Sequence, residues 1–182
     1  MLMGGLQLLI VLETSDDSRT DAIYFGEVIN RFFLYIDKNS GYEVNTSIIP
    51  LSGKQNYKNK KIVNRIKNSI KMFKTYTRGE TVVIYCIDTD SVEQVYKRSS
   101  FFYNVSTFCK ENGFELAWFC KNAENVFLGV EPTTLENKTE AALEFSRNGD
   151  INKIKETNLV KEKIELNCSN IVAILDKYLK RK

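Results

Sequence analysis

At 182 residues, 43% of them apolar and 27% charged, the chain has the length and composition of one folded domain with room for a core. A formal net charge of only +3 singles out no partner class, so a charge signal must come from its distribution. Histidine is absent, which excludes the Ser-His-Asp triad, Cys-His pairs and His-ligated zinc, and leaves carboxylates, lysines, hydroxyls and bound metals for any chemistry.

Gln7–Leu12 is a continuous apolar run, the pattern of a strand buried on both faces, and Glu13 ends it. The apolar stretch is too short for a membrane helix and has no basic leader, so a cytoplasmic chain with no membrane partner is expected. The four cysteines, Cys86, Cys109, Cys120 and Cys168, form no CxxC pair and fit buried, reduced thiols. After a polar loop, Asp21–Phe33 carries Ile23, Tyr24, Val28, Ile29, Phe32 and Phe33 at helical spacing. Asp37–Gly41 reads as a turn. Tyr42–Leu51 alternates, with Tyr42, Val44, Thr46 and Ile48 on one face, as a strand near a sheet edge does. Lys58–Tyr76 is predicted helical, with Ile62, Ile66, Ile70 and Phe73 facing inward.

Thr81–Ile87 is a second doubly buried strand, and it runs into Asp88-Thr89-Asp90. Helix is predicted over Val92–Asn112, strand over Phe114–Phe119, and a short helix at Val126–Leu128. Thr139–Ser146 and Leu159–Leu179 also read as helices, the last with a stripe of Ile164, Cys168, Ile171, Ile174, Leu175 and Tyr178. Alternating strands and helices predict an α/β fold: a four-stranded, mainly parallel, Rossmann-like sheet flanked by helices. Residues 1–130 form this core, and 131–182 are expected as a helical extension that packs on the core or on a partner.

Parallel strands end on one edge, so Glu13, Asp88, Asp90 and Glu124 are all expected there. An acid after a strand is also a common helix cap. It is the coincidence of Glu13 with the Asp88-Thr89-Asp90 pair that points to a metal. Carboxylate oxygens suit Mg²⁺ or Mn²⁺, and two such ions can activate water and stabilise a leaving oxygen in phosphodiester cleavage. The same acidic pair after a buried strand also serves nucleotide-sugar transferases, a rival for which the chain is short.

Lys54–Arg78 holds nine basic residues, among them Lys54, Lys58, Lys61, Lys67 and Lys71, and no acid. A one-signed helix surface of this kind suits a polyanion, DNA or RNA. Tyr57 and Tyr76 are candidates for stacking on bases.

Glu at the end of the first strand, DxD at the end of the third and a four-stranded core resemble the TOPRIM domain of topoisomerases, primases and OLD-family nucleases. Thr20-Asp21-Ala22-Ile23-Tyr24-Phe25 resembles that family's first-helix opening, and Ile48-Ile49-Pro50-Leu51-Ser52-Gly53 its second-strand end. Glu124-Asn125-Val126-Phe127-Leu128 is similar to a segment of OLD-like and RloB-like proteins. The likeness spans Leu6 to Leu128. It implies metal ligation by Asp88 and Asp90, and ligation or general-base action by Glu13. It further implies that Glu124 completes a second metal site and that Asp21, or Asp17 by plain spacing, is another ligand. Lys54 or Lys121 would neutralise the phosphate in the transition state. The activity implied by the resemblance is that of a Mg²⁺- or Mn²⁺-dependent nuclease, an effector of bacterial antiviral defence. The resemblance implies a separate ATPase subunit as partner, the chain having no G-x-x-x-x-G-K-[ST] loop of its own, with a homo-oligomer as a further expectation. A non-catalytic interaction module of the same fold is the alternative.

Overall fold

The structure, a computed structural model, describes residues 5–14, 20–37, 42–89, 92–93, 97, 100–132 and 134–182. At its centre lies β1 (Leu6–Leu12), buried along its whole length. β1 pairs in parallel with β3 (Tyr42–Pro50) on one side and with β4 (Glu80–Asp88) on the other, and β4 pairs in parallel with β5 (Glu115–Phe119). A two-residue strand, β2 (Ile36–Asp37), runs antiparallel along the outside of β3. Among the described residues the order across the sheet is thus β2-β3-β1-β4-β5, a Rossmann-like sheet of four parallel strands with a short antiparallel edge.

Side chains of successive strand residues point to opposite faces. Leu8, Ile10, Leu12, Ile84 and Cys86 meet α1 (Thr20–Phe32) and the C-terminal part of the chain. Leu9, Val11, Val83, Tyr85 and Ile87 meet α2 (Lys60–Thr77) and α3 (Phe101–Asn112). Cover on both faces is why the two central strands read as unbroken apolar runs. Tyr57, in the 3-10 turn Lys54–Lys58, is part of this second core. It is buried, edge-on to Phe101 and Phe108, and its carbonyl accepts from the Tyr85 hydroxyl at 2.9 Å. It is a core residue rather than a stacking platform.

β1 connects to β3 through α1 over one face, and β3 connects to β4 through α2 over the other. β4 then reaches β5 through α3 on that second face, as crossovers of one hand require. The connections leaving β1 and β4 diverge, which puts the topological switch point between those two strands.

Several boundaries differ from the pattern in the sequence. Among the described residues, α3 begins at Phe101, not Val92: the Ser100 hydroxyl accepts the Tyr103 amide at 3.1 Å and starts the helix there, while Val92 and Glu93 lie in a turn. On β3 the buried apolar side chains are Val44 and Ile49, on opposite faces, while Thr46 and Ile48 are exposed. The short helix after β5 is α4 (Ala123–Leu128), and the next is α5 (Leu135–Asn148), longer than predicted and closed by Thr134 and Gly149.

The largest departure is Leu159–Leu179, where only α6 (Ile171–Leu175) is α-helical. Asn167 adopts a left-handed φ of 56°, and the residues after it bond to the free edge of β5 instead of to a helix. The Cys120 amide donates to the Cys168 carbonyl at 3.0 Å, and the Ser169 hydroxyl donates to the Trp118 carbonyl at 2.6 Å. Asn170 Oδ1 accepts from the Trp118 amide at 2.8 Å while its Nδ2 donates to the Leu116 carbonyl at 3.0 Å. Short polar side chains that mimic a strand outcompete the helix ladder, and they close an edge that would otherwise be open. The stripe is still buried, Tyr178 only in part, by an irregular path: Ile171, Ile174 and Leu175 join the β1 core, together with Phe145 of α5, while Ile164 and Cys168 pack with Trp118 and Cys120.

Among the described residues, no helix is long and apolar enough to cross a membrane.

Candidate functional site

β1 and β4 end side by side at the switch point, and the acids that close them meet there. The Asp88 amide donates to Glu13 Oε2 at 3.4 Å. The loop after β3 locks onto the same edge, since the amides of Leu51, Ser52 and Gly53 donate to the carbonyls of Leu12, Thr14 and Glu13 at 2.8, 3.0 and 3.3 Å. Gly53 takes φ 115°, a conformation that suits glycine, and directs the chain into the 3-10 turn that carries Lys54.

Two helix starts bring further acids to this edge. Asp21 sits in the first turn of α1. Glu124 sits in the first turn of α4, whose position is set by two local devices. Lys121 turns the chain with φ 63°, and its amide donates to Thr89 Oγ1 at 3.2 Å; Thr89 in turn donates its amide to the Phe119 carbonyl at 3.0 Å. Asn122 then caps α4, its Oδ1 accepting from the Asn125 amide at 2.8 Å and from Asn125 Nδ2 at 2.7 Å. Glu124 is left only 4% exposed.

Glu13, Asp21, Asp88 and Glu124 act on one another electrically. Burial, then Glu124 and Glu13, push Asp21 up to about 7, against a mild counter-pull from Lys138. Burial, then Asp21, Glu13 and Glu124, hold Asp88 well above the usual carboxylate range. One countercharge within reach is Lys138 of α5, whose Nζ lies 3.7 Å from Glu124 Oε1 and 3.4 Å from Glu131 Oε1. Desolvation pulls the Lys138 ammonium down, but Glu124, Glu131 and Asp88 together raise it. Beneath the acids Tyr24 is fully buried, stacked on Phe127 at 5.0 Å and edge-on to Phe145 at 5.2 Å. Its hydroxyl has no hydrogen-bond partner among the described residues. Burial, Glu124 and Asp21 all disfavour its ionisation.

Four of the expected acids thus reach one edge, while Asp90 and the alternative Asp17 lie outside the described residues. The donor chemistry, carboxylate oxygens alone, fits a hard divalent cation. Among the described residues, however, no three Asp, Glu, Cys or His side chains are already arranged to hold one. Three participants escaped the sequence pattern. Thr89 looked like a spacer between two aspartates. Tyr24 looked like one apolar position of α1. Lys138 lies in a segment whose contact with the edge depends on how α5 packs against α1, and nothing local signals it.

The basic segment is laid out on α2, which starts at the carboxylate edge and runs back along the sheet. Lys58, Lys60, Lys61, Arg65, Lys67, Lys71, Lys74 and Arg78 are exposed, and among the described residues none of them is ion-paired. Lys54 is half-buried, its Nζ 5.5 Å from the centre of the Phe101 ring. Acids at the strand ends and cations along the neighbouring helix give the edge two opposite fields. No protein-family model matches the chain, and no curated protein matches it.

Proposed function

We propose that the chain is a metal-dependent phosphodiesterase of the TOPRIM type that acts on nucleic acid at the edge shared by Glu13, Asp21, Asp88 and Glu124. The observation that carries this is the gathering of four acids at the switch point, where burial first and the neighbouring carboxylates second push Asp21 to about 7 and Asp88 well up. Such a group is neutralised by protons or by a cation, and the switch point is where open α/β sheets take ligands. Glu13, Asp21, Asp88 and Glu124 would hold Mg²⁺ or Mn²⁺, with Asp90 joining them. When bound, the ion supplies a nucleophilic hydroxide near neutral pH and charge for the leaving oxygen. Because the side chains are not pre-assembled, binding must draw them together and release protons from Asp21 and Asp88, so affinity rises with pH. Glu13, already fixed against the Asp88 amide, is the group set to take a proton from an attacking water. The apolar floor of Tyr24 and Phe127 excludes bulk water from below, and α2 attracts the polyanion. The likeness to OLD-family and RloB-like nucleases extends the proposal to an effector of antiviral defence working with a separate ATPase subunit.

Lys138 favours a second role. An ammonium 3.7 Å from Glu124 can stand in for a metal's charge, as in a non-catalytic interaction module of the same fold. Isothermal titration with Mn²⁺ and cleavage of labelled DNA and RNA, each run on wild type, Asp88→Asn and Glu13→Gln, separate the two. Mn²⁺ binding and cleavage that both variants lose support the phosphodiesterase. Absence of Mn²⁺ binding at pH 8 overturns it in favour of the module.

A further inference from the structure

Beside the carboxylate edge lies a cleft of about 180 Å³, lined by Pro50, Ser52, Asn56, Asn59, Lys61 and Arg65. Its walls are fixed. Asn56 Nδ2 donates to the carbonyls of Leu51 and Ser52 at 3.0 and 3.1 Å, and Asn59 Oδ1 accepts the Lys61 amide at 2.9 Å. Ser52 is in turn bonded to Thr14, next to Glu13, so the cleft opens one strand away from the acids. Two cations line it, and no acid does.

Helical spacing sorts the surface of α2 into two ridges. Lys60, Lys67, Lys71 and Lys74 follow one another at intervals of seven, four and three residues and form a basic ridge. Lys61, Arg65, Asn68, Met72 and Tyr76, at intervals of four, three, four and four, form the other. This second ridge starts in the cleft and ends in two large side chains with no cover: Met72 is 57% exposed and Tyr76 78%. From Lys61 to Tyr76 it runs about 22 Å at the helical rise. Cations followed by an uncovered aromatic suit an unpaired strand, whose phosphates meet the charges and whose bases can stack; a duplex hides its base faces.

We propose that the Lys61–Arg65 cleft seats a backbone phosphate of a single-stranded nucleic acid whose bases lie along Met72 and Tyr76, leading the strand toward the carboxylate edge. This rests on the phosphodiesterase proposal for its direction, but its test reads binding alone. Fluorescence anisotropy is measured in EDTA on the Asp88→Asn chain, with a labelled single-stranded oligonucleotide and its duplex. Lys61→Gln/Arg65→Gln is expected to weaken single-strand binding about tenfold and to lower the salt slope by about 0.7, the value for one lost phosphate contact. Lys71→Gln/Lys74→Gln, on the other ridge, should weaken it less. Tyr76→Ala should weaken single-strand binding about tenfold and leave the duplex unchanged. All the side chains substituted on α2 are exposed, and melting curves verify that the variants fold. If the cleft pair matters no more than the Lys71/Lys74 pair, or if Tyr76→Ala weakens both oligonucleotides alike, the proposal is overturned while the metal and cleavage tests stand. A chain that binds neither oligonucleotide overturns both proposals.

Discussion

Replacing Asp21 by Asn tests the electrostatics of the edge directly. In the folded chain Asp21 titrates at about 7, against 3.8 for the free side chain, because it is buried beside Glu124 and Glu13. Between about pH 4 and 7 the folded state therefore keeps a proton that the unfolded state has released, so stability falls as pH rises through that window and levels off above it. A shift of about 3 units at 1.36 kcal/mol each sets an upper bound of about 4 kcal/mol on the loss. Asn has the shape of the neutral acid and no charge to gain. In EDTA, wild type and Asp21→Asn should melt close together at pH 4, near the 3.8 of the free side chain, where little of this loss has accrued. At pH 8 the variant should melt higher, by up to about 8 °C at roughly 2 °C per kcal/mol for a chain of this size. Asp88, raised in the same direction, keeps some slope in the variant, which is flattened rather than flat. Mn²⁺ at pH 8 should then raise the melting temperature of wild type more than that of the variant. Parallel pH–stability curves for the two proteins in EDTA would refute the coupling of Asp21 to its neighbours.

Tyr24→Phe removes a buried hydroxyl that has no partner among the described residues and keeps the stacking on Phe127. Chemical denaturation should show the metal-free variant about 1 kcal/mol more stable, and a loss of stability would mean that the hydroxyl is bonded. Asn170→Ala removes two hydrogen bonds from the edge of β5 and leaves the Trp118 amide and the Leu116 carbonyl open. A destabilisation of about 1–3 kcal/mol is expected, with faster hydrogen exchange at the Trp118 amide. Gly79→Ala puts a methyl group into the Gly5 carbonyl oxygen and 2.6 Å from the Phe73 ring. The start of β4 must shift, which should cost about 2 kcal/mol in denaturant titration, and a neutral outcome would contradict the close approach of Gly79 to Gly5.

The two central strands were legible because burial on both faces excludes polar residues from every position, and a run such as Leu8–Leu12 or Val82–Ile87 then announces itself without reference to any partner. The acids at their ends were legible for a related reason, since parallel strands must finish on one edge. Helix α2 announced both its buried stripe and its charges, because both repeat within a single element. The region after Leu159 was misleading. Most of its apolar residues recur at helical spacing and are buried, but Ser169 and Asn170 bond to a strand some fifty residues earlier. Whether such side chains cap a helix or close a sheet depends on which free edge is nearby.

By itself, then, the sequence determined the α/β class, the central strands and the side of the sheet where the acids gather, because periodicity and strand direction are properties of single segments. Tertiary structure alone decided that β1 and β4 stand next to each other with diverging connections, so that Glu13 and Asp88 meet. It also decided that α1 and α4 bring Asp21 and Glu124 close enough to raise the protonation of their neighbours, and that Lys138 of α5 lies against them. Electrostatic coupling acts through space over a few ångströms, and which distant segments come that close is set by how the helices pack, not by any local pattern along the chain.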